Sequence, residues 1–285
     1  MSPVCLAIIG LSAVATYLSL RDRAVFEKYS FNPKAILAFK QYHRMITSGF
    51  LHLDWMHFAM NILSLLAFGE ILEFVFGGVF LAGIFFLSVI GGNLLALAIH
   101  RNHAYCAAGA SGGVCGVIFA SILLCPGTRF GSFFLPIGIP GWLYGALFLC
   151  GGFFAIRRAS DGVGHDAHLG GAVTGMLAAA AIRPGMAFSQ PGLLLGLFGL
   201  SATLIILLLK DPRVVADGLG FLRQTQYPSH ERYQRYDENA ARREKEASID
   251  AILEKIHQKG MDSLNAGEKQ RLEDYSKAQR RLTRD

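Results

Sequence analysis

The chain has 285 residues, of which 52% are hydrophobic and only 17% are charged. A soluble domain usually has about 25% charged residues, so this composition argues against a soluble protein and favours a membrane protein. The net charge of +6 comes without an arginine-rich run interleaved with aromatic residues, which argues against nucleic-acid binding. The five cysteines include no CxxC pair and indicate neither a disulfide framework nor a zinc site.

The charged residues are concentrated towards one end of the sequence. From Lys210 onward lie 16 of the 27 Lys and Arg residues and 14 of the 21 Asp and Glu residues. The chain therefore consists of an apolar body followed by a charged, solvated tail.

The body contains seven apolar segments, and a membrane-spanning helix needs about 20 mostly apolar residues. Only helices and closed barrels satisfy their backbone polar groups in lipid, and these segments lack the two-residue alternation of barrel strands. We therefore predict seven transmembrane helices, the first retained rather than removed as a signal peptide. The segments are 4–20, 55–76, 79–100, 107–125, 133–156, 165–182 and 191–210.

The tail divides into a linker and a helical part. Charged residues, Pro, Tyr and Gln dominate the linker, which shows little periodicity, whereas Ile249, Leu253 and Ile256 then recur at helical spacing. A second tail helix is predicted to begin at Ser263 or Asn265. The predicted divisions are a core at 1–185, an additional transmembrane helix at 186–210, a charged linker at 211–247 and a helical tail at 248–285.

Strongly polar residues within transmembrane helices are rare and point to function. The second span contains His57 and Asn61, which share one helix face because they are four residues apart. The fourth span contains Ser111 and the sixth contains His168. Each residue alone is explained by helix packing or an interhelical hydrogen bond. Together they are typical of a serine nucleophile activated by a histidine base.

Small residues flank both the serine and the histidine. Gly109 and Gly112 lie beside Ser111, and Gly171 and Gly175 follow His168 on its own helix face. Such residues let two helices approach closely. We therefore expect the fourth and sixth spans to bring the serine and the histidine within hydrogen-bond reach.

Three motifs occur in order: HFAMN at 57–61, GASG at 109–112 and AHLGGAVTG at 167–175. They resemble the HxxxN, GxSG and AHxxGxxxG signatures of rhomboid intramembrane serine proteases. The stretches HRMITSGFLH and FGEILE also resemble rhomboid segments and identify Arg44 and Glu73. The resemblance covers roughly residues 1–185.

This resemblance implies an all-α polytopic membrane protein with a six-helix rhomboid core, to which the chain adds a seventh helix and a small helical soluble tail. It implies hydrolysis of transmembrane segments of other membrane proteins within the lipid bilayer, without a metal, an organic cofactor or nucleic acid. Similarity to bacterial members implies the bacterial cytoplasmic membrane. The implied roles are Ser111 as nucleophile, His168 as general base and then acid, Asn61 and His57 in the oxyanion hole, Gly109, Gly112, Gly171 and Gly175 in helix packing, and Arg44 and Glu73 as structural residues.

The sequence departs from the family pattern in two places. Many rhomboids have an aromatic residue at the position of Cys115, where it stacks on the histidine, and a tryptophan at the position of His43.

Asp166 precedes His168 by two residues, and such positions do not face each other on a helix. The sequence therefore predicts a catalytic dyad rather than a triad.

Other functions fit the sequence less well. GASGG also matches the nucleophile elbow of α/β-hydrolases, but that motif requires a preceding strand. A metalloprotease would need a zinc motif such as HExxH, which the sequence lacks, and a transporter would show interrupted helices in two repeated halves. The main alternative is a rhomboid-fold protein that binds transmembrane helices without cleaving them.

Two indicators of membrane orientation disagree. The resemblance implies a serine reached from the extracytoplasmic side and a cytoplasmic N-terminus. Positive residues usually mark cytoplasmic loops, and the first loop contains six, whereas the opposite loops hold little beyond Arg129 and Arg183. The orientation of the body and the side of the tail therefore stay open at this point.

Overall fold

The computed structural model describes residues 2–101, 105–127, 129–132, 135–158 and 164–210, and then 249, 252–270, 272 and 275–276. The chain divides into two units, Met1–Phe221 and Leu222–Asp285, and each is described by itself. The predicted linker at 211–247 lies outside the described residues, and the predicted domain boundaries stay predictions.

Helices dominate the described residues of the first unit, which also include one 3-10 turn at Ser48–Phe50 and one β-hairpin. The helices are α1 (Pro3–Arg21), α2 (Arg23–Tyr29), α3 (Pro33–Phe39), α4 (Arg44–Thr47), α5 (Trp55–Phe76), α6 (Gly78–His100), α7 (Ser111–Leu124), α8 (Gly141–Arg158), α9 (His165–Ile182), α10 (Pro184–Ala187) and α11 (Pro191–Lys210), and the strands are β1 (Arg129–Ser132) and β2 (Leu135–Pro140).

Four helices in the described part of the chain are long and apolar enough to cross a membrane: α1, α5, α6 and the Pro191–Leu208 part of α11. Two shorter apolar helical stretches are Ser111–Leu124 and Gly141–Gly151. The chain is thus a largely helical membrane protein, and the count of seven spans stays a prediction.

The hairpin corrects the predicted fifth span. We predict that span from residue 133, but β1 and β2 pair antiparallel, with Arg129 opposite Pro140, and α8 begins only at Gly141. Pro136 and Pro140 explain the difference, because proline lacks the N–H that an inner helical turn needs and is tolerated at strand edges. The prediction of an all-α fold is therefore wrong for this segment.

The fourth span also begins later than predicted. A helix is predicted from residue 107, whereas α7 begins at Ser111. Ala107 instead exchanges two backbone hydrogen bonds with Phe31, at 2.8 and 3.1 Å, and the N–H of Gly109 donates to the carbonyl of Ser48. Because the carbonyl of Ala107 accepts the N–H of Phe31, it does not serve as the acceptor of a helical turn that would begin there. The result makes Ser111 the first residue of α7.

Helix α7 lies at the centre of the unit, between α5, α6 and α9. Every residue from Gly112 to Leu124 is buried. At 1.5 Å per residue, its 14 residues extend about 21 Å, less than the roughly 30 Å hydrocarbon thickness of a bilayer. The helix is therefore too short to cross the hydrocarbon region by itself, and it lies within the helical body.

Glu73 and Arg44, the two residues predicted to be structural, each bind backbone groups of another segment. The Glu73 carboxylate, near the end of α5, accepts the N–H groups of Val4 and Cys5 at 2.9 and 3.0 Å and so caps α1. Such N–H groups lack partners within their own helix. The buried guanidinium of Arg44 donates to the carbonyls of Glu27 and Ser30, at 2.6 and 2.8 Å, and anchors the loop of short helices.

The second unit contains a small hydrophobic cluster of its own. Helical residues 252–259 are followed by a 3-10 turn at Met261–Ser263 and helical residues 266–270. Asn265 begins the second helix by a reciprocal capping box with Glu268, at 2.8 and 2.9 Å. Ile249, Ile252 and Leu264 form the buried centre, whereas Leu253, which periodicity predicts on the apolar face, is 47% exposed.

Candidate active site

Ser111 is placed by the segment at 105–110, which precedes it and is held by hydrogen bonds to three neighbours. In addition to the bonds from Ala107 and Gly109, the N–H of Ala110 points to Nε2 of His52 at 3.4 Å. These contacts fix the backbone immediately before the serine. As the first residue of α7, Ser111 also has an N–H without an acceptor in its own helix.

His168 lies in the first turns of α9, and its Nε2 lies 2.7 Å from Oγ of Ser111. This is a short O–H···N hydrogen-bond distance. Both side chains are half-buried. When the imidazole is neutral and its proton is on Nδ1, Nε2 accepts the serine proton, which is the arrangement of a nucleophile and its base.

Backbone contact between α7 and α9 makes this distance possible. A Cβ atom at Gly171 would overlap the backbone of Gly112, and one at Gly175 would overlap the backbone of Gly116. Only glycine allows such an approach. Gly112 itself has more room, since a Cβ there would lie 3.4 Å from the carbonyl oxygen of Ala167.

An aromatic ring flanks His168, although α7 does not supply it. Cys115 is buried, 2% exposed, at the position where the predicted family often has an aromatic residue. The ring of Phe148, from α8, lies 6.1 Å from that of His168 and is tilted by 38°. Phe148 packs in turn against Phe119 at 6.0 Å. Both distances are typical of aromatic pairs.

His57 and Asn61 occupy the first two turns of α5. Asp54 caps this helix by accepting the N–H of His57 at 2.7 Å, and the buried amide of Asn61 donates one hydrogen to the carbonyl of His57 at 2.9 Å. A Cβ atom at Gly109 would lie 2.9 Å from Cε1 of His57 and 3.3 Å from Oγ of Ser111. Gly109 therefore lets the His57 ring approach the serine side of the site.

His52 is a site residue that motif reasoning misses. It is fully buried, contacts the hydroxyl of Thr16 through Nδ1 at 2.9 Å and packs edge-on against the His57 ring at 5.1 Å. Burial, reinforced by His57, lowers the pKa of His52 from 6.5 to about 3. The ring is therefore neutral and keeps a lone pair for the N–H of Ala110. The sequence signal was weak, because this histidine lies in a loop outside the three motifs.

Asp166 is directed towards the end of α6 and towards the segment before Ser111. Its carboxylate lies 3.2 Å from Nε2 of His100 and 3.4 Å from the hydroxyl of Tyr105. Within the described part of the chain, no group of three or more His, Cys, Asp or Glu residues is arranged to hold a metal ion.

Comparison with known proteins identifies two regions. Residues 40–185, about half of the chain, match the Rhomboid domain family, and residues 234–278 match a family of unknown function, DUF6576. The chain is 32% identical over 163 residues to "RHOMBOID-like protein 12, mitochondrial" of Arabidopsis thaliana; the matched region covers 50% of this chain and 47% of the relative. The chain thus spans about half the length of this curated relative.

Proposed function

The chain belongs to the rhomboid family, and we propose that it is an intramembrane serine endopeptidase that uses Ser111 and His168 as a catalytic dyad. Its helices and family make it a multi-pass integral membrane protein associated with the lipid bilayer. The observation that carries the proposal is the 2.7 Å distance between Oγ of Ser111 and Nε2 of His168.

In the proposed reaction, Oγ of Ser111 attacks the carbonyl carbon of the scissile peptide bond while Nε2 of His168 takes the serine proton. The tetrahedral intermediate collapses when its C–N bond breaks, and His168 donates the proton to the leaving amine. Water then attacks the acyl-enzyme with His168 again as base. This step releases the carboxylate product and returns the proton to Oγ.

The negative charge that develops on the substrate oxygen needs hydrogen-bond donors that are already in place. The N–H of Ser111 is one, because it belongs to the first turn of α7, where the helix dipole also favours negative charge. Asn61 uses one amide hydrogen on the carbonyl of His57, and an amide carries a second. His57, whose ring approaches Gly109, supplies the remaining donor.

The proposed substrates are transmembrane segments of single-span or polytopic proteins, as family membership implies. We expect these segments to be locally unstable helices with a small residue before the cleaved bond. The burial of α7 from Gly112 to Leu124 favours this assignment, because the helix that begins with Ser111 lies within the helical body.

We propose further that α1, α5, α6, α7, α8 and α9 form a six-helix core, that α11 is a seventh span and that residues 248–285 are a soluble helical tail. We expect the protein to reside in the bacterial cytoplasmic membrane, whereas the Arabidopsis relative is named as mitochondrial.

The second candidate function is binding of transmembrane helices without cleavage. The relative is named only as rhomboid-like. In addition, Cys115 stands where many rhomboids have an aromatic residue that stacks on the catalytic histidine. A fluorophosphonate probe separates the two functions, because an activated serine displaces its fluoride and forms a covalent bond to phosphorus.

The test incubates the purified protein with this probe and locates the adduct by mass spectrometry. The protease proposal predicts an adduct on Ser111 that is lost in His168→Ala. A protein that binds transmembrane helices but forms no adduct at Ser111, in detergent or in liposomes, would contradict the proposal and favour the helix-binding function.

A further inference from the structure

Three side chains from separate segments meet at the first turn of α9. Oδ2 of Asp166 lies 3.2 Å from Nε2 of His100, at the end of α6, which is within ion-pair distance. The hydroxyl of Tyr105 lies 3.4 Å from Oδ1 of Asp166. The rings of His100 and Tyr105 stack in parallel, with centroids 3.8 Å apart and planes 3° apart.

Asp166 is buried, with 5% of the residue exposed, and a buried carboxylate is costly unless charge and hydrogen bonds compensate it. Part of that compensation comes from α9 itself, because Asp166 is the acidic residue of its first turn. The N-cap residue, Gly164, has no side chain that could cap the helix. A carboxylate at this place interacts favourably with the helix dipole. The imidazole of His100, whose Nε2 lies 3.2 Å from Oδ2, is the second partner of the carboxylate.

Tyr105 connects this carboxylate to the backbone that carries the nucleophile. A Cβ atom at Gly164 would lie 3.1 Å from the Tyr105 hydroxyl, so the hydroxyl sits against the beginning of α9. Burial, followed by the charge of Asp166, raises the pKa of Tyr105 well above its ordinary value, and the hydroxyl therefore remains a donor. Tyr105 begins the 105–110 segment, which ends directly before Ser111.

We propose that Asp166, together with His100 and Tyr105, is a positioning residue that fixes the start of α9 relative to the 105–110 segment and thereby sets the distance between Ser111 and His168. This inference rests on the proposed protease function. Asp166 acts through the backbone of α9, where His168 follows two residues later, and through Tyr105. It touches neither reacting atom in the proposed reaction.

Catalysis is sensitive to this geometry, because a misplacement of about 1 Å costs on the order of 10²-fold in rate. Asp166→Asn keeps the size of the side chain but removes the charge that faces His100 and the first turn of α9. We expect kcat to fall on the order of 10- to 100-fold, as for a small misplacement, while KM stays within about threefold because substrate binding lies elsewhere.

Glu73→Gln is the matched control. Glu73 is also a buried carboxylate that serves the beginning of a helix. It lies 12 residues after Asn61 on α5, about 18 Å away along the helix axis, and its helix partner is α1, not α9. We expect this variant to lose thermal stability as Asp166→Asn does, but to keep kcat and the rate of fluorophosphonate labelling.

The experiment measures kcat, KM, labelling rate and thermal midpoint for the wild type and both variants in the full chain. Slower labelling and lower kcat in Asp166→Asn alone support the inference. Equal losses in both variants, in proportion to their thermal midpoints, or a wild-type rate in Asp166→Asn, would overturn it while the protease function stands. A wild type that neither cleaves nor is labelled defeats the protease proposal itself.

If Asp166→Asn does not fold, Tyr105→Phe decides the question. This change keeps the ring stacked on His100 and removes only the hydroxyl that faces Asp166. A labelling rate reduced severalfold, with an unchanged KM, supports the inference, and an unchanged labelling rate overturns it.

Discussion

Oγ of Ser111 lies 2.7 Å from Nε2 of His168, although 57 residues separate the two in sequence. Each residue stands near the beginning of its helix, and the two helices meet through backbone atoms at Gly112 and Gly171. The side-chain contact is therefore a consequence of glycine packing below it. Changes in the glycines should affect the site as strongly as changes near the reacting atoms.

Gly175→Ala tests this packing. A Cβ atom there would overlap the backbone of Gly116, and backbone cannot move aside as a flexible side chain can. We expect a loss of unfolding free energy of about 1–3 kcal/mol or more and slower fluorophosphonate labelling. The thermal midpoint in detergent and the labelling rate measure the two effects.

Gly196→Ala is the control for this change. Gly196 lies on α11 and a Cβ atom there would meet no atom within 4 Å, so the thermal midpoint should stay the same or rise slightly, because alanine favours helix. Similar midpoints for the variants at 175 and 196 would contradict the packing account.

Asn61→Ala should lower kcat about 10²- to 10³-fold with little change in KM, as loss of one oxyanion donor does. Asn61→Asp keeps the shape but replaces the amide donor with an acceptor, and should be at least as inactive. Steady-state cleavage of a single-span substrate provides both constants. An aspartate variant with wild-type kcat would remove Asn61 from the oxyanion hole.

His52 should make the fold sensitive to acid. Its pKa is about 3 in the fold and 6.5 ordinarily, so the stability contributed by the neutral ring is complete above pH 6.5. It is lost as pH falls from 6.5 towards 3, since the unfolded chain then binds one more proton, at about 1.4 kcal/mol per pH unit.

Unfolding free energies between pH 4 and 7 test this prediction. His52→Gln removes the titrating group, and its stability should fall less steeply with acid than that of the wild type. Thr16→Val, which removes the hydroxyl contacting Nδ1 of His52, should be less stable but keep the wild-type slope. Parallel profiles for the wild type and His52→Gln would disprove the role assigned to His52.

Much of the fold and of the candidate site could be predicted from the sequence, because its motifs combine periodicity with chemically reactive residues. The predicted spans at 55–76 and 79–100 agree with α5 and α6 within one residue, since apolar runs of that length have few alternatives to helix. Family membership was also predicted correctly from three short motifs. Glycines at +3 and +7 from His168 indicated the close packing of its helix.

The sequence was less informative where distant segments decide local structure. Ser111 begins its helix because Phe31 and Ser48 bind the backbone before it, and neither contact follows from local propensity. The hairpin at 129–140 was hidden by an apolar composition that also suits a helix. The contacts of His52 with Ala110, and of Asp166 with Tyr105, join residues about 60 positions apart.

The most direct test of the account is cleavage of a single-span substrate in liposomes by the wild type, Ser111→Ala and His168→Ala. Ser201→Ala, which changes a buried serine on α11, is the control for loss of a hydroxyl. The account predicts cleavage by the wild type and the control, and loss on the order of 10⁴-fold or more in the two dyad variants. Cleavage that persists in Ser111→Ala, or a folded wild type that binds several substrates and cleaves none, would contradict it.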